Sequence, residues 1–189
     1  MRVVGVSVTA GVISVVTLQS AASTGLLATP VEGSSDRIER NTGLDEARQL
    51  VDLTHRVESY LASQRPEKVA LARTRKFGTL SYTDAYARVT AVCAVMAACV
   101  ACEVAFTEVS TEAIAARLEG VQAKALGNTP HTLFGYSARP PHWRNDGVAQ
   151  AHGAAATQIP RSQPDADVGD DSSIDTGAGA DGDGTDDRS

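Results

Sequence analysis

The side chains able to do chemistry in this 189-residue chain fall into a few short clusters. Cys99 and Cys102 have the C-x-x-C spacing that serves zinc sites and thiol redox centres. No second pair and no His pair completes a zinc site, and no Trp-Cys-Gly-Pro context supports redox chemistry. With Cys93 the cysteines number three, all in one apolar stretch. They read as small apolar side chains of a packed helix and point to a reducing compartment. His55, His131, His142 and His152 are scattered, and His152 lies off the helical face of Asp146. Arg73, Arg75 and Lys76 precede Gly78 in a basic run. Such a run suits phosphate or carboxylate, or forms a solvated turn. Arg139, His142, Trp143 and Arg144 form a second basic segment. Trp143 there either stacks on a base or, as we expect, covers an edge of the core. No Walker A or G-x-S-x-G string is present.

The elements that must position these side chains can be read from periodicity. Val3 to Val8 and Val12 to Leu18 are β-branched runs joined by Thr9-Ala10-Gly11, which predicts a hairpin. The same run, followed by Ser20 to Ser23, has the outline of an export leader. Its alternation and the Gly11 break favour the hairpin. Gly25 to Val31 is a weaker third strand, and Glu32 to Arg40 a polar loop. Thr42 to Asp45 has a capping-box pattern. It precedes Leu44, Ala47, Leu50, Val51, Thr54, Val57 and Leu61 at helical spacing, in a helix that must end before Pro66. Val69 to Ala72 fits a buried parallel strand. Thr83 to Cys102 is apolar nearly all round and predicts a largely buried helix. Its uninterrupted apolar run from Ala91 to Cys102 is 12 residues, short of a membrane span. Val104 to Val109 reads as a strand, Ser110 to Leu118 as a short helix, Ala123 to Arg144 as irregular chain, and Asp146 to Ala156 as an Ala-rich helix. The expectation is an α/β fold: a mixed five-stranded sheet, three antiparallel strands feeding a parallel extension, flanked by helices.

This order resembles that of the ribonuclease-H-like superfamily, and four strings resemble RuvC-type Holliday-junction resolvases or related short bacterial proteins. Val4 to Gly11 resembles their first strand, hydrophobic-Gly-hydrophobic-Asp-Pro-Gly. Pro66 to Ala72 resembles the strand that ends in Glu. Thr107 to Gly120 resembles the segment after the fifth strand, and Asn145 to Ala155 the last helix. The likeness runs from Arg2 to about Ala156. It implies a nuclease fold that works through two magnesium ions held by clustered carboxylates. Here the acid positions are occupied by Ser7, Ala72, Trp143 and Asp146, so one carboxylate remains. The nearest other acids are Glu67, at the wrong end of its strand, and Glu108, on a strand that does not normally contribute.

The resemblance thus implies a degraded site with no catalytic residue, no metal and no cofactor: a pseudo-nuclease that binds nucleic acid or a protein partner. Arg73, Arg75 and Lys76 are its candidate anion-binding residues. The alternatives are a divergent metal-dependent nuclease retaining Asp146, and a structural or assembly scaffold. Charge is uneven along the chain. Residues 163–189 hold nine Asp and one Arg, which places −8 of the total −6 there and leaves the rest at about +2. That composition predicts a disordered acidic tail over 161–189 behind a domain over 1–160. A cytoplasmic, membrane-free location is expected; oligomeric state is left open.

Overall fold

In the computed structural model, residues 1–21, 25–73, 81–144 and 147–160 are described. The tail over 161–189, and with it the expected domain boundary, lies outside them. Strands β1 (Arg2–Thr9) and β2 (Val12–Gln19) form the expected hairpin, pairing from Arg2 with Gln19 to Thr9 with Val12. Its two-residue turn needs positive φ at both positions, and Ala10 and Gly11 supply 47° and 80°. The interior residues of both strands are buried, which explains why a Val-rich run sits at the start of the chain.

Two short strands, β3 (Thr29–Pro30) and β4 (Asp36–Ile38), pair antiparallel with β2. The sheet among the described residues therefore has six strands rather than five. The additional strand lies in the segment expected to be loop. Only Ile38 of β4 is buried, too short a pattern to show against polar neighbours. On the other side of β1 lies β5 (Lys68–Ala72), parallel to it, and beyond that β6 (Ala105–Val109), parallel to β5.

Helices cover both faces. On one, α1 (Glu46–Gln64) and α2 (Tyr82–Ala101) pack Leu53, Val57, Leu61, Ala91, Val95 and Ala98 against Val4, Val6, Val8, Val69 and Leu71. On the other, α3 (Thr111–Arg117) and α4 (Val148–Gln158) pack against Val3, Val16, Leu18, Ala70 and Ala72. The helix α1 starts later than the sequence pattern suggests, because Asp45 itself is the cap: its side chain accepts the Arg48 N–H at 2.9 Å. Two 3-10 turns, Ala123–Asn128 and His131–Phe134, occupy the stretch expected to be irregular.

Burial of α2 differs from expectation. Ala87, Ala91, Ala94, Val95, Ala98 and Cys99 face the sheet, but Tyr82, Tyr86, Val89, Met96 and Val100 are exposed. A helix apolar on all sides was expected to be enclosed; here one side packs, and among the described residues nothing covers the other. Cys99 is buried and Cys102 partly so, whereas Cys93 is exposed, against the expectation for all three. Burial pushes the Cys99 thiol up to about 11, so it stays protonated and inert. By length and composition α2 could cross a membrane, but its inner face belongs to the core.

Candidate functional site

The carboxyl ends of β1 and β5 meet the start of α4, and this junction is set by glycine and alanine. A Cβ on Gly5 would lie 1.9 Å from the Ala151 carbonyl oxygen, so α4 rests directly on β1 backbone. Gly147 precedes α4 with φ of 78°, and a Cβ there would meet Ser7 Oγ at 2.2 Å and Thr9 Oγ1 at 3.2 Å. Only glycine permits both the conformation and the approach.

Val6 pairs with Leu71, and one step further along these parallel strands stand Ser7 and Ala72. Ser7 is buried and donates its hydroxyl hydrogen to the Gly147 carbonyl at 2.8 Å. The Ala72 side chain joins the cluster beneath α4. Three of the four sequence-matched segments thus converge: β1 through Ser7, β5 through Ala72, and the entry to α4 through Gly147. Asp146 lies outside the described residues. Trp143 is drawn elsewhere. It is buried, donates its indole N–H to the Thr129 carbonyl at 2.8 Å, and packs with Phe134, Tyr136 and His152. It offers no exposed face to a base.

That cluster has its own electrostatics. His152 is fully buried, its Nδ1 2.8 Å from the Val148 carbonyl and its Nε2 3.0 Å from the Tyr136 hydroxyl. Burial pushes its pKa down to about 4, partly opposed by the Val148 hydrogen bond. Neutral His152 donates through Nδ1 and accepts from Tyr136 through Nε2, so both ring nitrogens are satisfied.

Of the basic run, Arg73 lies within the described residues, whereas Arg75 and Lys76 do not. Arg73 follows β5 and is exposed, and its Nε and Nη2 both donate to Glu108 Oε2, at 2.9 and 2.7 Å. Glu108 compensates its charge, so any anion there meets a pair rather than a bare cation. Beside this pair a cavity of about 240 Å³ is lined by Leu71, Ala72, Arg73, Arg88, Val92 and Glu108. Arg88 was not singled out in the sequence, although it is the one cation inside the apolar helix α2. Burial lowers its pKa. The signal available was its position in a run of Ala, Val and Cys, where a guanidinium needs a reason.

Magnesium, which the resemblance implies, does not fit the described residues. It needs hard anionic oxygens. Among its described residues the junction offers a hydroxyl already donated to backbone and a methyl group. Among the described residues no group of three or more His, Cys, Asp or Glu side chains could hold a metal ion.

No family model matches this sequence, and no curated protein is similar to it in sequence. Solved structures are similar in shape. The Thermus thermophilus RuvC structure aligns with a TM-score of 0.64 at 18% identity, over 83% of this chain and 92% of that one. This chain has the RuvC-type, ribonuclease-H-like fold. T. thermophilus RuvC in complex with Holliday junction substrate gives 0.62 at 19%, over 83% and 91%. The yeast mitochondrial Holliday junction resolvase gives 0.55 at 11%, over 82% and 76%. The RuvC-type fold accounts for a sheet that changes from antiparallel to parallel at β1. It also accounts for a last helix that returns across β1 and brings distant segments to one junction.

Proposed function

We propose that this chain is a RuvC-type domain that binds nucleic acid without cutting it. The observation that carries this reading is the bond from Ser7 Oγ to the Gly147 carbonyl. At the meeting point of β1 and α4, a neutral hydroxyl ties strand to helix, and Ala72 beside it brings no oxygen. A phosphodiester nuclease working through metals needs negative charge gathered there, and a junction closed by hydrogen bonding and apolar packing does not gather it.

Binding remains compatible with the same geometry. The amino-terminal end of α4, the positive end of its dipole, has no side-chain cap and lies at Ser7. Arg73 stands at the carboxyl end of β5, with Arg75 and Lys76 following in sequence. A solved neighbour of this fold holds a Holliday junction, which favours nucleic acid over a protein partner.

The test uses the full chain with fluorescent four-way-junction, duplex and single-stranded DNA at about 50 and 200 mM salt, with and without magnesium. The expected result is binding that weakens steeply with salt, no cleavage, and no rise in melting temperature on adding magnesium or manganese. Metal-dependent cutting would instead assign the chain as a divergent nuclease using Asp146. Absence of binding to every DNA would leave the fold as a scaffold.

A further inference from the structure

We propose that the cavity beside Arg73 and Glu108 is a binding site for a small organic monoanion, an apolar body bearing one carboxylate that Arg88 receives. Strand alternation builds its floor. Leu71 of β5 is paired with Glu108 of β6, and the two-residue period of a strand turns Arg73 to the same face as Leu71. Leu71 and Phe106 set that face under α1 and α2. From α2 come Arg88 and Val92, one turn apart, with Cys93 next to them on the exposed side. The junction of Ser7 with Gly147 lies across the sheet, beneath α4, so the cavity is separate from it.

Exposure orders the charged groups along the cavity. Arg88 is 9% exposed, whereas the side chains of Arg73 and Glu108 are 65% and 36% exposed. The ion pair therefore stands at the mouth and the Arg88 guanidinium inside, next to Leu71 and Val92. A guanidinium carries five N–H donors on a planar fork, and two of them match the two oxygens of a carboxylate. Burial lowers the Arg88 pKa, and an anion seated on it offsets that cost, more strongly in apolar surroundings than in water.

Charge and size select the ligand. Among the described lining residues, two arginines and one glutamate leave a single positive charge. A monoanion balances it, whereas a dianion such as phosphate brings surplus negative charge beside Glu108. The remaining walls are aliphatic, through Leu71, Ala72 and Val92, so the rest of the ligand is apolar. A volume of about 240 Å³ is room for about eight waters, and so for a body of roughly ten non-hydrogen atoms. A nucleotide is too large for it. The site thus takes a medium-chain or small aromatic carboxylate, apart from any nucleic acid that the domain holds.

The test uses the full chain and no DNA, so it is decided apart from the nucleic-acid reading. Octanoate, of this size and charge, is the probe. Isothermal titration should give one site per chain with a Kd of about 0.1 to 1 mM. Octanol has the body without the charge, and inorganic phosphate the charge without the body; each should bind at least about 10-fold more weakly. Arg88→Met keeps the apolar stem, removes the cation and should weaken octanoate by roughly 10- to 100-fold, with thermal unfolding still cooperative. In the wild type, saturating octanoate should slow alkylation of Cys93 by iodoacetamide, read by mass spectrometry, because Cys93 stands on the rim. That readout decides the matter if Arg88→Met does not fold. Octanol binding as tightly as octanoate, unchanged octanoate binding in folded Arg88→Met, or no protection of Cys93 at about 10 mM octanoate overturns the proposal.

Discussion

At the scale of single residues, Ser7 is the position where chemistry and stability meet. Its hydroxyl donates to a carbonyl in a buried setting, so a group that only accepts cannot replace it. Ser7→Asp restores the acid that the fold resemblance implies, yet sets a carboxylate against the Gly147 carbonyl oxygen. We expect a loss of about 3 to 5 kcal/mol, measured by denaturant unfolding, and no recovery with magnesium. Recovery with magnesium would show that further acids stand within reach. His152 makes a second prediction. Its pKa is about 4 in the folded chain against 6.5 in the unfolded one. Above pH 6.5 it is neutral in both states and has no effect. Between 6.5 and 4 the unfolded chain takes up a proton that the folded chain refuses, so stability falls as pH falls, by up to about 1.4 kcal/mol per unit. Melting temperatures from pH 7.5 down to 4.5 should show that decline, and His152→Gln should flatten it. The aromatic neighbours that impose this shift come together only in three dimensions, which is why His152 stood out in the sequence merely as a histidine without partners.

At the scale of elements, the strands and helices were legible wherever burial follows a period. The hairpin, α1, β5, β6 and α4 all lie where alternation or helical spacing places them, because each buries a face against the same sheet. What escaped was set by contacts that periodicity does not record. Ile38 is the one buried residue of β4, and the outward half of α2 is left exposed among the described residues. The candidate site was legible in part. Ser7 and Ala72 are neighbours because two parallel strands hold them in register, and that pairing follows from element order. The removal of Trp143 into the core does not, since it depends on the Thr129 carbonyl and the rings around it. The pairing of Arg73 with Glu108 was also invisible, although both lie at carboxyl ends of adjacent parallel strands. The packing of α4 on β1 gives the prediction proper to this scale. Gly5→Ala forces a methyl into the Ala151 carbonyl, and the helix cannot shift without leaving the Ala70 and Ala72 contacts. We expect destabilisation of about 3 kcal/mol or more, seen as a lower denaturant midpoint with helix content retained until unfolding.

At the scale of the whole molecule, the two cores are unequal in their history. The α1 and α2 side of the sheet is built from segments that follow one another closely along the chain. The α4 side is closed by contacts such as Ser7 with Gly147, 140 residues apart. During synthesis β1 emerges well before α4, and one of its faces stays bare until α4 has left the ribosome. Closure of so long a loop is slow, and a Val-rich strand left waiting is an invitation to pair wrongly. The bond between Ser7 and Gly147 therefore doubles as a late clasp, and that face of β1 stays uncovered until the clasp can shut.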